Sequence, residues 1–415
     1  MIWSSLIIIL IIILLDFLSF HALKHAFRIK QNTSLKKKFK YIFWSLSILI
    51  ALFGMVYFVS LRFSSKPDYI VYRNYFKLAG IFFVFYIPKI FFIIFYVIEL
   101  LIRFPAIILK QKKKENKILS FFSSFRILSI TGAFIAVIFC LIVVHGIFIG
   151  RTNFKVEHVT LPFKDLPKSF DGVKIALISD MHLGSFGDSL DVKKGIDLMM
   201  NEKPDIIFFT GDLVNNESEE AGVMMCELTR MHAPFGMYSI LGNHDVGDYR
   251  RWKTIEEKNA NLDLLKALEE RAGFKLLIDE NFILKKNNDS IAIIGVNSWG
   301  LPPFKSYGDL NKAMNGVNDV PFKILLTHSP VHWDKEVSGK KDIQLSLSGH
   351  THAMQFGINC CGIFWSPLKW MYPHWAGLYN EGEQYLYVNR GFGYIGYPGR
   401  IGMTPEITII ELKKK

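Results

Sequence analysis

VKIALISDMH, residues 173–182, decides how this chain is read: a short, mostly apolar run stops abruptly at Asp180 and His182. IQLSLSGHTH at 343–352 repeats the design, with Gly349 before His350 and His352. Related runs occur at PDIIFFTGD (204–212), GMYSILGNHD (236–245), IAIIGVNS (291–298), FKILLTHSP (322–330), LYVNRG (386–391) and PEITIIEL (405–412). Near-continuous apolar runs of this length suit strands buried on both faces. Helical patterns at about 189–202, 218–232 and 252–273 lie between the earlier runs, the last ending at Gly273, a residue suited to a C-cap. Strands alternating with helices predict an α/β domain.

The polar residues fall where the strands end. Asp180 and His182 follow the first run, Asp212 the second, Asn243, His244 and Asp245 the third, His328 the fifth, and His350 and His352 the sixth. Open α/β sheets place ligands at strand carboxyl ends, so these segments are expected to converge on one cleft. Among them, two Asp, one Asn and four His offer oxygen and imidazole donors without thiolate. That set suits Mn, Fe, Zn or Co better than a structural Cys-rich zinc site. In an extended backbone, residues two apart share a face, which pairs Asp180 with His182 and His350 with His352. Glycines before Asp212, Asn243 and His350 permit close backbone approach. Any one of these residues alone reads equally well as a cap or a surface group; together, in this order, they read as a metal site. No C-x-x-C pair and no G-x-x-x-x-G-K-[ST] loop is present.

The ordered set D-x-H, G-D, G-N-H-D, H and G-H-x-H resembles the calcineurin-like metallophosphoesterase superfamily over about residues 170–415. The stretch LYVNRGFGYIGYPGRIGMTPEITIIEL (386–412) resembles its bacterial membrane-associated or exported branch. The resemblance implies an α/β, four-layer α+β domain: a mixed β-sandwich flanked by helices, with two divalent metal ions in its cleft. It assigns Asp180, His182 and His352 to one metal, Asn243, His328 and His350 to the other, and Asp212 to the bridge, each carboxylate oxygen serving one ion. It further implies hydrolysis of a phosphoester by metal-activated hydroxide. His244 would stabilise or protonate the leaving-group oxygen, and Asp245 would orient His244. Where the branch has Gly-Gly-Gln after the last His, this chain has Ala353-Met354-Gln355, which bears on the local pocket shape.

The first 150 residues have another character. Apolar runs at about 2–23, 41–61, 78–102 and 127–149 each approach the ~20 residues needed to cross a bilayer. They predict an all-α, four-helix transmembrane region over 1–150, preceding a catalytic domain over 151–415. The formal net charge of +12 in 415 residues looks at first like a nucleic-acid footprint. It is not distributed that way. Residues 1–150 hold 19 Lys/Arg against 4 Asp/Glu, whereas the remainder holds 30 against 33. The basic residues gather between spans one and two (Lys24, Arg28, Lys30, Lys37, Lys38 and Lys40 among them). They gather again between spans three and four (Arg103, Lys113, Lys114, Lys117 and Arg126 among them). The positive-inside bias puts both loops in the cytoplasm, and the N-terminus and everything beyond residue 150 on the extracytoplasmic side of an inner membrane. No nucleic-acid partner is expected.

Asp16 and Lys89 fall within spans, where an ionisable group is costly. Asp16 lies near a span end and is expected to reach the interface. Lys89 has no recognisable acidic partner at its depth, which leaves a pure anchor and a transport role both open. Past His352 comes an aromatic stretch containing Phe364, Trp365, Trp370, Tyr372, Trp375 and Tyr379. It reads either as a loop packed on the domain or as a lip at the membrane interface, with Trp370 and Trp375 as candidate substrate contacts. Arg390 and Arg400 are candidate phosphate contacts, with surface salt bridges as the alternative. These features suggest a phosphorylated small-molecule or lipid substrate drawn from the bilayer or cell envelope. A membrane sensor or scaffold that binds without turning over is the competing reading.

Overall fold

A computed structural model describes residues 2–28, 34–63, 69–112, 125–302 and 305–415. Lys30, Lys113, Lys114 and Lys117 of the basic loops lie outside the described residues. The chain divides into two compact units, residues 1–65 with 77–145, and residues 66–76 with 146–415.

The first unit is helical: α1 (Ile2–Ala26), α2 (Ser34–Phe63), α3 (Tyr69–Lys112, which enters the second unit at its N-terminal end) and α4 (Ile127–Phe148). All four helices are long and apolar enough to cross a membrane. The third exceeds the expected span at both ends, carrying Pro88 and Pro105 within it. Their apolar faces are largely exposed, as suits helices solvated by lipid. The interior holds charge. Lys89 Nζ lies 2.5 Å from Asp16 Oδ1, with Ser47 Oγ at 3.5 Å and the Phe85 ring centroid at 3.4 Å. Tyr86 donates to Asp16 Oδ2 at 3.4 Å. Both expectations for this pair are corrected: Asp16 is buried, and it is the acidic partner that Lys89 lacked in the sequence reading. α1 turns Asp16 inward because an unpaired carboxylate facing hydrocarbon costs more than one facing an ammonium. A second buried acid, Glu99, meets His25 and accepts from the Ser129 amide at 2.8 Å.

The second unit is built on two six-stranded sheets. The strands are β1 (Lys155–Phe163), β2 (Lys174–Ile178), β3 (Ile206–Phe209), β4 (Met237–Ser239), β5 (Phe274–Leu276), β6 (Glu280–Lys286), β7 (Asp289–Gly295), β8 (Lys323–Leu326), β9 (Leu345–Ser348), β10 (Ile358–Cys360), β11 (Ile363–Trp365), β12 (Gly377–Glu381), β13 (Gln384–Val388) and β14 (Glu406–Lys414). One sheet runs β1-β14-β2-β3-β4-β5, the other β12-β13-β9-β8-β7-β6, and β10-β11 form a separate hairpin. Both sheets are mixed: β2 through β5 are parallel while β14 opposes β2, and β7, β8, β9 and β13 are parallel between antiparallel edges.

Strand alternation sorts the apolar residues into layers. Ile175, Leu177 and Phe208 from one sheet pack with Ile293, Ile324 and Leu347 from the other, forming the core between them. Ala176, Ile178, Ile207 and Phe209 face the opposite way, onto Val192 and Ile196 of α5 (Ser189–Asn201) and Leu265 and Leu268 of α6 (Ile255–Arg271). On the far side, Ala292, Ile294 and Leu325 meet Trp333 and Val337. The result is the four-layer sandwich expected from the sequence. The expected helix at 218–232 is instead two short pieces, Ser218–Gly222 and Met225–Leu228.

Candidate metal centre

Asp180 and His182 stand just beyond β2, Asp212 beyond β3, Asn243 beyond β4, His328 beyond β8, and His350 and His352 beyond β9. The backbone presenting them is not extended, which corrects the face-sharing expectation. Asp180, His182, Asp212, His350 and His352 have φ of 53°, 45°, 60°, 70° and 50°. A strand that ends in the left-handed region turns sharply, aiming residues two apart inward from a curled segment. Asp and His tolerate this region better than most residues, yet each such position costs on the order of 1–2 kcal/mol, and strain of this kind concentrates at functional sites. Two glycines make the approach possible. A Cβ on Gly349 would stand 2.2 Å from Asp180 Oδ2, and one on Gly242 would stand 2.2 Å from Asp212 Oδ1.

The side chains form two groups with ligand atoms close enough to share an ion: Asp180, His182 and His352, and Asp212, His328 and His350. In the first, His352 Nε2 is 3.3 Å from Asp180 Oδ1 and 3.0 Å from His182 Nε2. In the second, His328 Nε2 is 3.1 Å from Asp212 Oδ2 and 3.3 Å from His350 Nδ1. Asp212 Oδ2 is also 3.6 Å from His182 Nε2, so one oxygen faces both groups. Its other oxygen accepts the His244 amide at 2.8 Å. Asn243 adds to the second group. Its Nδ2 donates to the Tyr249 hydroxyl at 2.9 Å, and its buried Oδ1 has no hydrogen-bond partner among the described residues.

This donor set fits divalent cations. Burial pushes His182 and His350 down to about 3, leaving neutral imidazoles with a lone pair to give. Neutral imidazole nitrogens 3.0 Å apart, an orphaned amide oxygen and two buried carboxylates together call for positive charge. The same demand shows in Asp212: burial raises it, but His328 and His244 outweigh burial and hold it well below the usual carboxylate range. The nitrogen that His328 turns away from the cluster, Nδ1, lies 2.7 Å from the Thr210 carbonyl. A carbonyl only accepts, so Nδ1 carries a proton and Nε2 is the atom turned toward Asp212.

The residues around the ligands depart from expectation in an informative way. Asp245 does not orient His244. Its carboxylate accepts from the amides of Asp212 (2.7 Å), Leu213 (2.8 Å), Val214 (3.3 Å) and Gly242 (2.9 Å), tying the Asp212 and Asn243 loops together. Four unpaired amides at two sharp turns attract a buried carboxylate more strongly than one imidazole does. His244 instead has its Nδ1 2.7 Å from the Asn215 carbonyl and packs on the Tyr249 ring, centroids 4.4 Å apart. Tyr249 and Tyr372, whose hydroxyl is 3.4 Å from His350 Nε2, flank a cleft of about 310 Å³ over the ligands. The sequence reading named neither as a site residue. Tyr372 lay inside the aromatic stretch, whereas nothing in the local pattern marks Tyr249.

Of the four proposed substrate contacts three are engaged elsewhere, and the fourth, Trp370, is exposed but outside the cleft lining. Arg390 Nε is 2.6 Å from Glu406, and its Nη2 is 2.6 Å from Glu157. Arg400 is buried and donates to the carbonyls of Arg390, Gly391, Gly393 and Met403, with Nη2 3.2 Å from His352 Nδ1. Both guanidiniums are thus spent on structure, Arg400 directly behind a ligand histidine. Trp375 is buried against Phe364, ring centroids 4.7 Å apart. Trp370 is 75 % exposed and lies against Trp365, outside the cleft lining.

Comparison with known proteins follows the same division. Residues 173–354 match the calcineurin-like phosphoesterase family. Residues 1–151 match a family described as "Probable Calcineurin-like phosphoesterase, transmembrane domain". An uncharacterised metallophosphoesterase of Bacillus subtilis is 33 % identical over 263 residues, covering 62 % of this chain and 84 % of the relative. A transmembrane protein with metallophosphoesterase domain from Danio rerio is 29 % identical over 288 residues (67 % of this chain, 62 % of the relative). Its Bos taurus counterpart is 30 % identical over 271 residues (62 % of this chain, 57 % of the relative). The chain thus spans about three fifths of the length of these two animal relatives.

Proposed function

This chain belongs to the calcineurin-like metallophosphoesterases, and from that premise we propose that it is a membrane-anchored, dinuclear-metal phosphoesterase. Its substrate is a phosphoester or pyrophosphate of a lipid or cell-envelope component. The observation that carries this reading is the meeting of two ligand groups at Asp212 Oδ2. Two divalent cations held there would supply an acidified water as nucleophile and offset charge on the phosphoryl oxygens.

The chain's own residues supply the rest. Asp180, His182 and His352 would hold one cation, Asn243, His328 and His350 the other, and Asp212 would be shared between them. The Tyr249 hydroxyl fixes the Asn243 amide so that Oδ1 faces the ions. The Asn215 carbonyl holds one proton on His244 Nδ1, so a second proton, on Nε2, is the one that would pass to the departing oxygen. Asp245 acts at one remove, as a positioning residue that sets the spacing of the two loops.

The lipid assignment is supported by the four apolar helices and by a surface near the cleft where Trp370 and Met371 are each more than 70 % exposed. Extracytoplasmic placement of the catalytic domain follows from the basic loops. Cys360 and Cys361, both exposed, provide its test: a membrane-impermeant maleimide is expected to label them in intact cells. Labelling only after lysis reverses the topology.

The activity is tested with the full chain in detergent, Mn²⁺ and a chromogenic phosphodiester. Wild type is expected to bind two metals and hydrolyse the ester, and Asp212→Asn to lose both properties. Wild-type turnover no greater than that of Asp212→Asn leaves a binding domain without catalysis.

A further inference from the structure

Beside the metal cleft lies a larger cavity of about 790 Å³, within the range of specific small-molecule sites. The two share Asn243, His350 and Tyr372 as walls. Away from that shared wall the lining is mainly apolar: Trp299, Leu301, Pro302, Val331, Met371 and Pro373. Trp299 is fixed in place. Its ring stacks on His332, centroids 4.5 Å apart, and its Nε1 donates to Glu336 at 3.1 Å, which leaves the indole face as a firm apolar wall. Leu301 and Met371 are 40 % and 72 % exposed, so their apolar surface is open to whatever enters. Lys305 and Lys335 also border the cavity.

Metal chemistry does not account for this cavity. Neither His182, His352 nor His244 borders it; it meets the centre only on the Asn243–His350 side. A phosphoryl group seated on the ligands therefore has one apolar direction in which its ester substituent can extend. Lys335 adds a positive charge to this lining and Asp334 a negative one, while Lys305 is paired with Asp248 at 3.4 Å, so the apolar wall rather than net charge distinguishes the recess.

We propose that this recess binds the hydrophobic substituent of the substrate, making the enzyme selective for phosphoesters of amphiphiles with an extended apolar chain. The proposal rests on the phosphoesterase reading and narrows it. Burial of about two methylenes alone is worth roughly tenfold in kcat/KM.

The test uses the full chain in nanodiscs with Mn²⁺. It compares p-nitrophenyl ethyl phosphate, p-nitrophenyl dodecyl phosphate and the p-nitrophenyl ester of thymidine monophosphate. The dodecyl ester is expected to have a kcat/KM at least about tenfold above the ethyl ester. Leu301→Gln and Met371→Gln, each made separately, are expected to shrink that ratio several-fold. Because both variants sit in the same nanodiscs as wild type, partition of the long ester into lipid cannot mimic this change. Equal kcat/KM for the two alkyl esters overturns the recess proposal and leaves the phosphoesterase reading standing. A preference for the thymidine ester overturns it in favour of a nucleotide site, and so does a chain-length ratio unchanged in both variants. No hydrolysis of any ester by a metal-loaded chain removes the phosphoesterase reading, and the proposal with it.

Discussion

Both units of this protein bury charged side chains, and they do so in opposite ways. Among the membrane helices every buried charge described above meets a partner from the chain: Asp16 with Lys89 and Tyr86, Glu99 with His25 and the Ser129 amide. At the metal centre the buried groups instead crowd one another: His182 against His352, Asp212 against both His182 and His328, with Asn243 Oδ1 unpartnered among the described residues. A satisfied buried charge reads as architecture. A buried set short of positive charge reads as a site awaiting an ion. The contrast separates the two more sharply than burial or residue type alone, because both units contain buried carboxylates.

The comparison can be broken from either side. Asp212→Asn should have the largest effect, lowering phosphodiester hydrolysis by at least about 10³-fold with loss of metal measured by elemental analysis; full metal content in this variant would remove Asp212 from the shared position. His244→Ala is expected to lower kcat by about 10²–10⁴-fold while metal content stays at the wild-type level, which distinguishes a proton donor from a ligand. In the membrane unit, Lys89→Met strands Asp16 and is expected to cost about 3 kcal/mol, seen as a lower unfolding midpoint in detergent. Adding Asp16→Leu should restore most of that loss without changing hydrolysis. If the double variant remains as unstable as the single, the pair does more than match charge. Tyr249→Phe removes the group that orients Asn243, and a ~10-fold loss in metal affinity or kcat is expected, measured by metal titration.

The smallest effect concerns the departure from Gly-Gly. His352, Ala353, Met354 and Gln355 are four consecutive left-handed residues, φ 50°, 47°, 60° and 55°. Ala and Met thus occupy positions where glycine adopts this conformation without strain. Met354 is half-exposed, so Met354→Gly sacrifices little packing and is expected to raise stability by about 0.5–1 kcal/mol, read from thermal unfolding. Lower stability would show that the methionine side chain holds the turn. Gln355 has an evident role: its Nε2 donates to the Tyr397 carbonyl and its Oε1 accepts from the Ile395 amide, pinning the next loop.

The ligands were legible in the sequence because metal chemistry depends on residue type and on strand order, and both are written along the chain. The central strands were legible for a similar reason, since burial on both faces makes continuous apolar runs. Edge strands escaped: β6, Glu280–Lys286, has only Leu284 buried and carries Glu280 and two lysines at its ends, and β10–β11 is mostly exposed. The partners of Asp245, the turn at His182 and the pairing of Asp16 with Lys89 arise only when distant segments meet. Asp16 and Lys89 stand 73 positions apart, and no local period connects them. Arg390 and Arg400 show the converse error. Residue type suggested phosphate binding, but Glu406, Glu157 and a ring of carbonyls had already engaged both guanidiniums.

The carboxylate of Asp245 has a consequence for the order in which this molecule is made. It gathers the Asp212 and Asn243 loops through four amides, a task it performs with chain atoms alone. The spacing between two of the ligand segments is therefore fixed during folding, ahead of any loading step. Metal acquisition is then expected to follow folding rather than drive it, so that chelation should leave the fold intact, unlike domains whose folding is driven by the ion itself.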